Sequence, residues 1–439
     1  MNIETTHTSN KPSLRGGTTK QSPSPANRAQ KQSSALVPEL RFKEFNGEWN
    51  QTTLGNLFTF KNGLNSDKEK YGYGIKFINV LDIIGEEVIT YDSIIGKVEV
   101  TEKEFEKNEV IYGDVLFQRS SETREEVGQA NIYVDKNESS VFGGFVIRGR
   151  KKGDYNPYFM NYLLKTSSAR KEITTKSGGS TRYNVGQESL GQVFVTHLTL
   201  PEQHKIASFL SAIDQKIQQL TKKKVLLEQY KKGVMQQLFS GKLRFKDEDG
   251  NSYPDWEEKR LGEVGKIVTG STPPTSVLEY YNGNRLFVSP ADIDETRYVK
   301  KTKTTLTELG LKKGRKIAKG AVLFVCIGST IGKIAQAGYE CITNQQINAI
   351  IANEGFSNEF IYSLLVLFGS KIKLLAGVQA VPQINKTDFS KFKFNFPSLP
   401  EQQKIATYLS NIDTKIEDVH QQLTQTQLFK KGLLQSMFV

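Results

Sequence analysis

The sequence predicts an α+β chain built twice over: two globular units, each followed by a long coiled-coil helix. Three observations predict it. The segment "LPEQHKIASFLSAIDQKI" from Leu200 returns as "LPEQQKIATYLSNIDTKI" from Leu399, with 13 of 18 positions identical at a constant offset of 199. Behind each copy, apolar residues recur every seven positions over about five heptads, the signature of a coiled-coil seam. The stretches between the helices mix strand-like and helical runs and share only fragments of sequence. The layout is a tail (1–36), a unit (37–199), a helix (200–240), a second unit (241–398) and a second helix (399–439).

The tail is rich in Ser, Thr, Gln, Asn, Lys and Pro and has almost no large apolar side chains. Such a segment cannot bury enough surface to offset its ordering entropy, so it reads as a disordered, passive tail. The whole chain, 439 residues with a net charge of +12, is long enough for two or three cores and favours a polyanionic partner. Cys326 and Cys341 are the only cysteines, which excludes a disulfide scaffold. None of the four histidines is spaced like a metal-ligand pair, and no apolar run approaches the roughly 18 residues of a membrane span. The N-terminus carries no apolar signal core. These features predict a soluble cytoplasmic protein without a membrane partner.

Both helix copies open on Leu-Pro-Glu-Gln. Pro201 and Pro400 suit the first helical position, where a missing N–H costs nothing, and Glu202 and Glu401 meet the positive end of the helix dipole. In the first copy Ile206, Ile213, Leu220, Leu227 and Val234 are spaced by seven, with Leu210, Ile217 and Leu238 on the companion track and Lys224 and Lys231 interrupting it. In the second, Ile405, Ile412, Val419, Thr426 and Leu433 run beside Leu409, Ile416, Leu423 and Met437. A length of roughly 38 residues, or about 57 Å, favours a coiled coil over a helix packed on a globular core. Gly233 and Gly432 sit inside the two patterns at equal positions, where each either lets the partner helix approach closely or marks a kink. Ser240-Gly241 stops the first helix.

A weaker repeat confirms the doubling. Leu-Arg-Phe at 40–42 and 243–245 is followed by Trp49 or Trp256, and each Trp by Leu-Gly five residues on. Inside the units, "GDVLFQRS" from Gly113 parallels "GAVLFVCIGS" from Gly320, each a buried strand entering a polar loop. "NPYFMNYLLKTSSARKEI" from Asn156 parallels "NEFIYSLLVLFGSKIKLL" from Asn358, both read as Asn-capped helices. Each unit then passes a polar loop, 176–185 or 377–386, before returning to Leu-Pro-Glu-Gln. The helices stay alike while the units diverge, as expected if the helices are a constant frame and the units read different things.

The duplicated Leu-Pro-Glu-Gln helices, together with "TGSTPPT" (269–275), "LFVSPADI" (286–293), "GSTIGKIA" (328–335) and "TNQQINAII" (343–351), resemble the specificity subunit of type I restriction–modification systems over residues 37–439. The resemblance implies two target recognition domains separated by two conserved spacer helices packed antiparallel, a pseudo-two-fold internal repeat. It implies binding to double-stranded DNA at a bipartite, asymmetric target, and association with methyltransferase (modification) subunits and with restriction/translocase subunits. Those partners would use S-adenosylmethionine, ATP and Mg²⁺ for adenine methylation and cleavage, while this chain would be non-catalytic and need no cofactor. Residues 1–36 lie outside it.

The residues agree with a non-catalytic chain. "GSTIGK" (328–333) has three residues between its glycines where a phosphate-binding loop has four, and Ile334 stands where Ser or Thr would hold Mg²⁺. "NPYF" (156–159) departs from the Asn-Pro-Pro-Tyr/Phe motif of amino-methyltransferases at Tyr158, and a helix cap explains it better. Charge is uneven: residues 37–199 sum to −2 and residues 241–398 to +6, so DNA binding by the first unit must use a local face. Base edges and phosphates are reached by Arg, Lys, Asn, Gln and Ser on polar loops. The candidates in the first unit are Arg119, Ser120, Ser121, Arg124, Lys176, Ser180, Thr181, Arg182, Tyr183 and Asn184. In the second they are Ser271, Thr272, Ser329, Thr330, Gln379, Gln383, Asn385 and Lys386. Each could equally be a solvated loop residue. Asn344, Gln345 and Gln346 are left out, since they could make internal hydrogen bonds. The alternatives to a restriction-system subunit are a coiled-coil scaffold without a DNA role and a stand-alone DNA-binding regulator; the latter would more naturally carry one reading unit per chain and dimerise.

Overall fold

The structure is a computed structural model that describes residues 36–85, 87–294, 296–374 and 383–439. It divides into two bodies. The first holds residues up to Ala207 together with Leu433–Val439, and the second holds Ser208–Gly432. Residues 1–35 of the predicted tail, and Gln379, lie outside the described residues.

In the first body, a four-stranded sheet orders Phe58–Asn62, Val146–Lys151, Val115–Gln118 and Ala130–Ile132, all antiparallel. A three-stranded sheet places Tyr71–Ile78 between Lys97–Val98 and Val141–Phe142. The predicted buried strand is there: Val115, Leu116 and Phe117 have no exposed surface. A central strand covered on both faces reads as a continuous apolar run, which is why the sequence betrayed it. The expected helix from Asn156 is two helices, Pro157–Lys165 and Ser167–Thr175. Thr166 ends the first and caps the second, its hydroxyl accepting from the Ala169 amide at 3.4 Å.

The second body repeats the plan with a longer sheet, ordered Gly265–Thr269, Ile347–Ala352, Val322–Val325, Ile334–Ala337 and Tyr298–Val299. Its three-stranded sheet places Tyr281–Val288 between Thr304–Leu306 and Cys341–Thr343. Here the corresponding helix is unbroken over Asn358–Leu374. Its cap corrects the expectation. The Ser357 hydroxyl accepts from the Phe360 amide, and Asn358 turns back to accept from the Ala352 amide at 2.8 Å.

The long helices run Leu200–Phe239 and Leu399–Ser436. Each Pro is the second helical residue, one later than expected, and still one of the positions whose N–H would lack a partner. The heptad tracks are buried or half-buried along both helices and the remaining faces are mostly exposed. Within the second body the helices are antiparallel. Lys231 pairs with Asp413 and Lys430 with Asp214, each at 2.5 Å, and Tyr230 bonds Tyr408 through their hydroxyls at 2.7 Å. So one of the cations that interrupts the seam, Lys231, finds a carboxylate on the facing helix. A Cβ added at Gly233 or Gly432 would meet nothing within 4 Å, so neither glycine serves a close helix approach.

Candidate nucleic-acid interface

Each unit gathers its polar loops at the end of its central strand, and the gathering is set by backbone bonds common to both. In the first unit Gly63 N–H donates to Val146, Leu64 to Phe142, Gly143 to Ile78, Arg119 to Phe145 and Val185 to Arg119. In the second, Gly270 donates to Ile347, Ser271 to Thr343, Asn344 to Val288, Cys326 to Gln346 and Ile384 to Cys326. Four loops are therefore tied in the same pattern: 62–65 with 269–272, 119–121 with 326–328, 142–146 with 343–347, and 183–185 with the residues ending at Ile384. The backbone is shared and the side chains it presents are not. Asn65 corresponds to Thr272, Arg119 to Cys326, Ser120 to Ile327, Gly144 to Gln345, Phe145 to Gln346, and Asn184 to Gln383.

The candidates of the first unit come together. Ser120–Ser121 pairs antiparallel with Tyr183–Asn184, and Gly178 bridges Asn184, so the 176–185 loop is a hairpin laid along Arg119–Ser121. Ser180, Thr181 and Arg182 are exposed at its tip, and Gly179, at φ +119°, makes a turn that a Cβ would not allow. Lys176 caps the helix Ser167–Thr175 at the root of this hairpin. Arg124 donates to the Thr174 carbonyl at 3.2 Å. Ser121 is buried, with its hydroxyl donating to Glu126 at 3.0 Å.

In the second unit Thr272 donates to Gln345 Oε1 at 2.7 Å, and the Ser271 hydroxyl accepts from the Arg315 amide at 2.9 Å. Ser329 and Thr330 lie on the turn after Val322–Val325, and Gln383 bridges Ile327. Asn385 is the N-cap of the helix Lys386–Lys391, and its side chain is held by Asp388 on both its atoms. Gln345 and Gln346, set aside because they could make internal hydrogen bonds, do make them, with Thr272 at 2.7 Å and Asn344 at 3.0 Å; they stand on the same loop cluster, as do Asn65 and Phe145, which residue type did not select. At the root of this cluster Cys326 is buried, its Sγ accepting from Asn348 at 3.1 Å, and burial pushes its thiol up to about 12. Cys341 is also pushed up to about 12 by burial. Among the described residues no group of His, Cys, Asp or Glu is arranged to hold a metal ion, and no helix is long and apolar enough to cross a membrane.

The two sequence repeats turn out to be halves of one device. Glu202 is 2% exposed and accepts from Arg41 at 2.7 and 2.8 Å and from the Trp49 indole at 3.3 Å. Glu401 is fully buried and accepts from Arg244 at 3.1 and 2.8 Å and from the Trp256 indole at 3.1 Å. The Leu-Arg-Phe and Trp fragments thus exist to seat the Glu of Leu-Pro-Glu-Gln. The following Gln completes the seat. Gln203 accepts from the Asn156 amide, and Gln402 from the Ser357 amide, so each long helix holds the N-terminus of the helix in its own recognition unit.

The profile of the type I restriction modification DNA specificity domain matches twice, at residues 46–229 and 253–426. The chain belongs to that family. The putative type I restriction enzyme MjaX specificity subunit of Methanocaldococcus jannaschii is 26% identical over 407 residues, covering 88% of this chain and 92% of the relative. The EcoR124I/EcoR124II specificity subunit of Escherichia coli is 28% identical over 166 residues, covering 36% and 41%. The solved structure of the S subunit from M. genitalium superposes with a TM-score of 0.61 at 17% identity, covering 92% of this chain and 99% of that one, which shows a shared fold. Both matched segments of the specificity domain contain a loop cluster and the start of a long helix, so the duplication seen in the sequence is a duplication of the family's domain.

Proposed function

We propose that this chain is the sequence-reading subunit of a type I restriction–modification complex, and that each loop cluster reads one half of a bipartite, asymmetric DNA target. The observation that carries this reading is the pairing of one backbone with two sets of side chains. A shared backbone presents loops to the duplex in one geometry, and different side chains on it select different base edges. Methyl transfer to adenine and ATP-driven cleavage belong to partner subunits, with S-adenosylmethionine, ATP and Mg²⁺ as their cofactors; this chain contributes no catalytic group. The test is to replace residues 257–390 with the second unit of another family member and map methylated adenines in cells. One half of the target should change and the other stay. If both halves change together, the units do not read independently.

A further inference from the structure

We infer that Phe145 is a specificity-determining residue of the first unit, recognising a thymine through its 5-methyl group. The inference rests on the proposed function and adds the chemistry of one contact. Phe145 stands on the turn between Val141–Phe142 and Val146–Lys151 with 60% of its surface exposed. A ring exposed to this degree contributes little burial energy to the fold, and it is the one aromatic side chain on the first unit's loop turn at 143–145. The corresponding residue of the second unit is Gln346, on the same backbone bonds, with its carboxamide accepting from Asn344 at 3.0 Å.

The turn beneath Phe145 is fixed. A Cβ at Gly144 would collide with the Asn65 carboxamide, and one at Gly143 would collide with the Phe77 ring. The carbonyl of Phe145 accepts from the Arg119 amide at 2.9 Å, and that of Gly144 from the Arg119 guanidinium at 3.3 Å. The exposed ring thus rises from a turn whose preceding residue, Gly144, is flanked by Asn65 and Arg119, side-chain types that read base edges in the major groove. Thymine is the base that offers an apolar group there. A one-residue protrusion on a turn bonded at both flanks fits contact with a methyl group better than insertion between base steps, which needs a wedge that reaches the stack.

The test starts from oligonucleotides selected by the wild-type chain out of a random pool, beside Phe145→Ala and Phe145→Gln. Both variants should keep the second half-site and lose a thymine preference at one position of the first. Replacing that thymine by deoxyuridine should weaken the wild type about fourfold, the worth of one buried methyl group, and leave Phe145→Ala unchanged. An undiminished thymine preference in Phe145→Ala, or equal uracil penalties in wild type and variant, overturns the assignment. So does a rise in 2-aminopurine fluorescence beside that position on wild-type binding, which would mean unstacking. Because the ring is exposed, unchanged denaturation midpoints in both variants confirm that the readout is recognition. A wild-type chain that selects no bipartite sequence would instead sink the function on which the inference rests.

Discussion

Glu401 is the place to break the second unit without touching its polar loops. Its carboxylate is fully buried and takes three charge-assisted or indole hydrogen bonds, two from Arg244 and one from Trp256. Replacing it with Ala leaves the guanidinium facing the carbonyls of Tyr253 and Pro254, at 3.1 and 2.7 Å, and the indole N–H with its bond to the carboxylate removed. Removing one partner of a buried ion pair costs about 3–5 kcal/mol. Arg244 retains 27% of its side-chain exposure, so water recovers part of its solvation and the expected loss lies at the lower end, about 3 kcal/mol. Glu401→Gln keeps the shape and one acceptor and should lose roughly half of that, by about 1–2 kcal/mol. Denaturant unfolding followed by tryptophan fluorescence in a Trp49→Phe background reports this site alone, since Trp49 and Trp256 are the only tryptophans. The double variant Glu401→Leu/Arg244→Met removes both charges, and should be more stable than the sum of the single losses by about 0.5–3 kcal/mol. A loss below about 1 kcal/mol in Glu401→Ala, or strict additivity in the double variant, would refute the account of the carboxylate as a buried, shared acceptor.

Gly233→Ala and Gly432→Ala place a methyl group in open space inside a helix, so each should raise stability by about 1 kcal/mol in thermal melts; destabilisation would restore the close-approach explanation. The buried thiols of Cys326 and Cys341, pushed up to about 12 against about 8.5 when exposed, should resist alkylation at pH 8 in the folded chain and react promptly in denaturant. Because folding raises these values, their contribution to stability is complete below about pH 8.5 and is lost as pH climbs toward 12. A pH titration of the unfolding midpoint that stays flat over this range in the wild type would contradict the burial.

The long helices and the central strands were legible because their patterns are local. A seven-residue period and a run such as Val-Leu-Phe need no knowledge of distant chain. The partners of Glu202 and Glu401 were not legible, because Arg41 and Arg244 lie 161 and 157 residues away, and a carboxylate in a first helical turn already had a local explanation in the dipole. The correspondence of the polar loops between the units was hidden for another reason. Leu54 corresponds to Leu261, Gly143 to Asn344 and Val185 to Ile384, so the offset between the units drifts from 207 to 201 to 199. Insertions and deletions in surface loops cost little, and they erase register between copies even where the hydrogen bonds persist. The candidate positions were chosen from residue type alone, and the first unit's candidates share one hairpin with Arg119–Ser121. Phe145 was passed over because a polar-loop search has no reason to select a phenylalanine.

The completion of the first unit by residues 433–439 bears on how the chain is made. Phe438 stacks on Phe159 with ring centroids 5.5 Å apart and meets Trp49 edge-on at 6.4 Å. The Leu40 amide donates to the Ser436 carbonyl at 2.9 Å, and Ser168 donates to the carbonyl of Val439 at 3.0 Å. Phe239 plays the same part for the second unit against Trp256 and Phe360, but from only a short way upstream. During synthesis the first unit therefore waits for residues 433–439, which are made after the whole of the second body. The second body, Ser208–Gly432, has all of its own residues before the first body receives Leu433–Val439. This reverses the usual order in which N-terminal domains settle first. Until Phe438 is made, the aromatic seat formed by Trp49 and Phe159 lacks the ring that covers it.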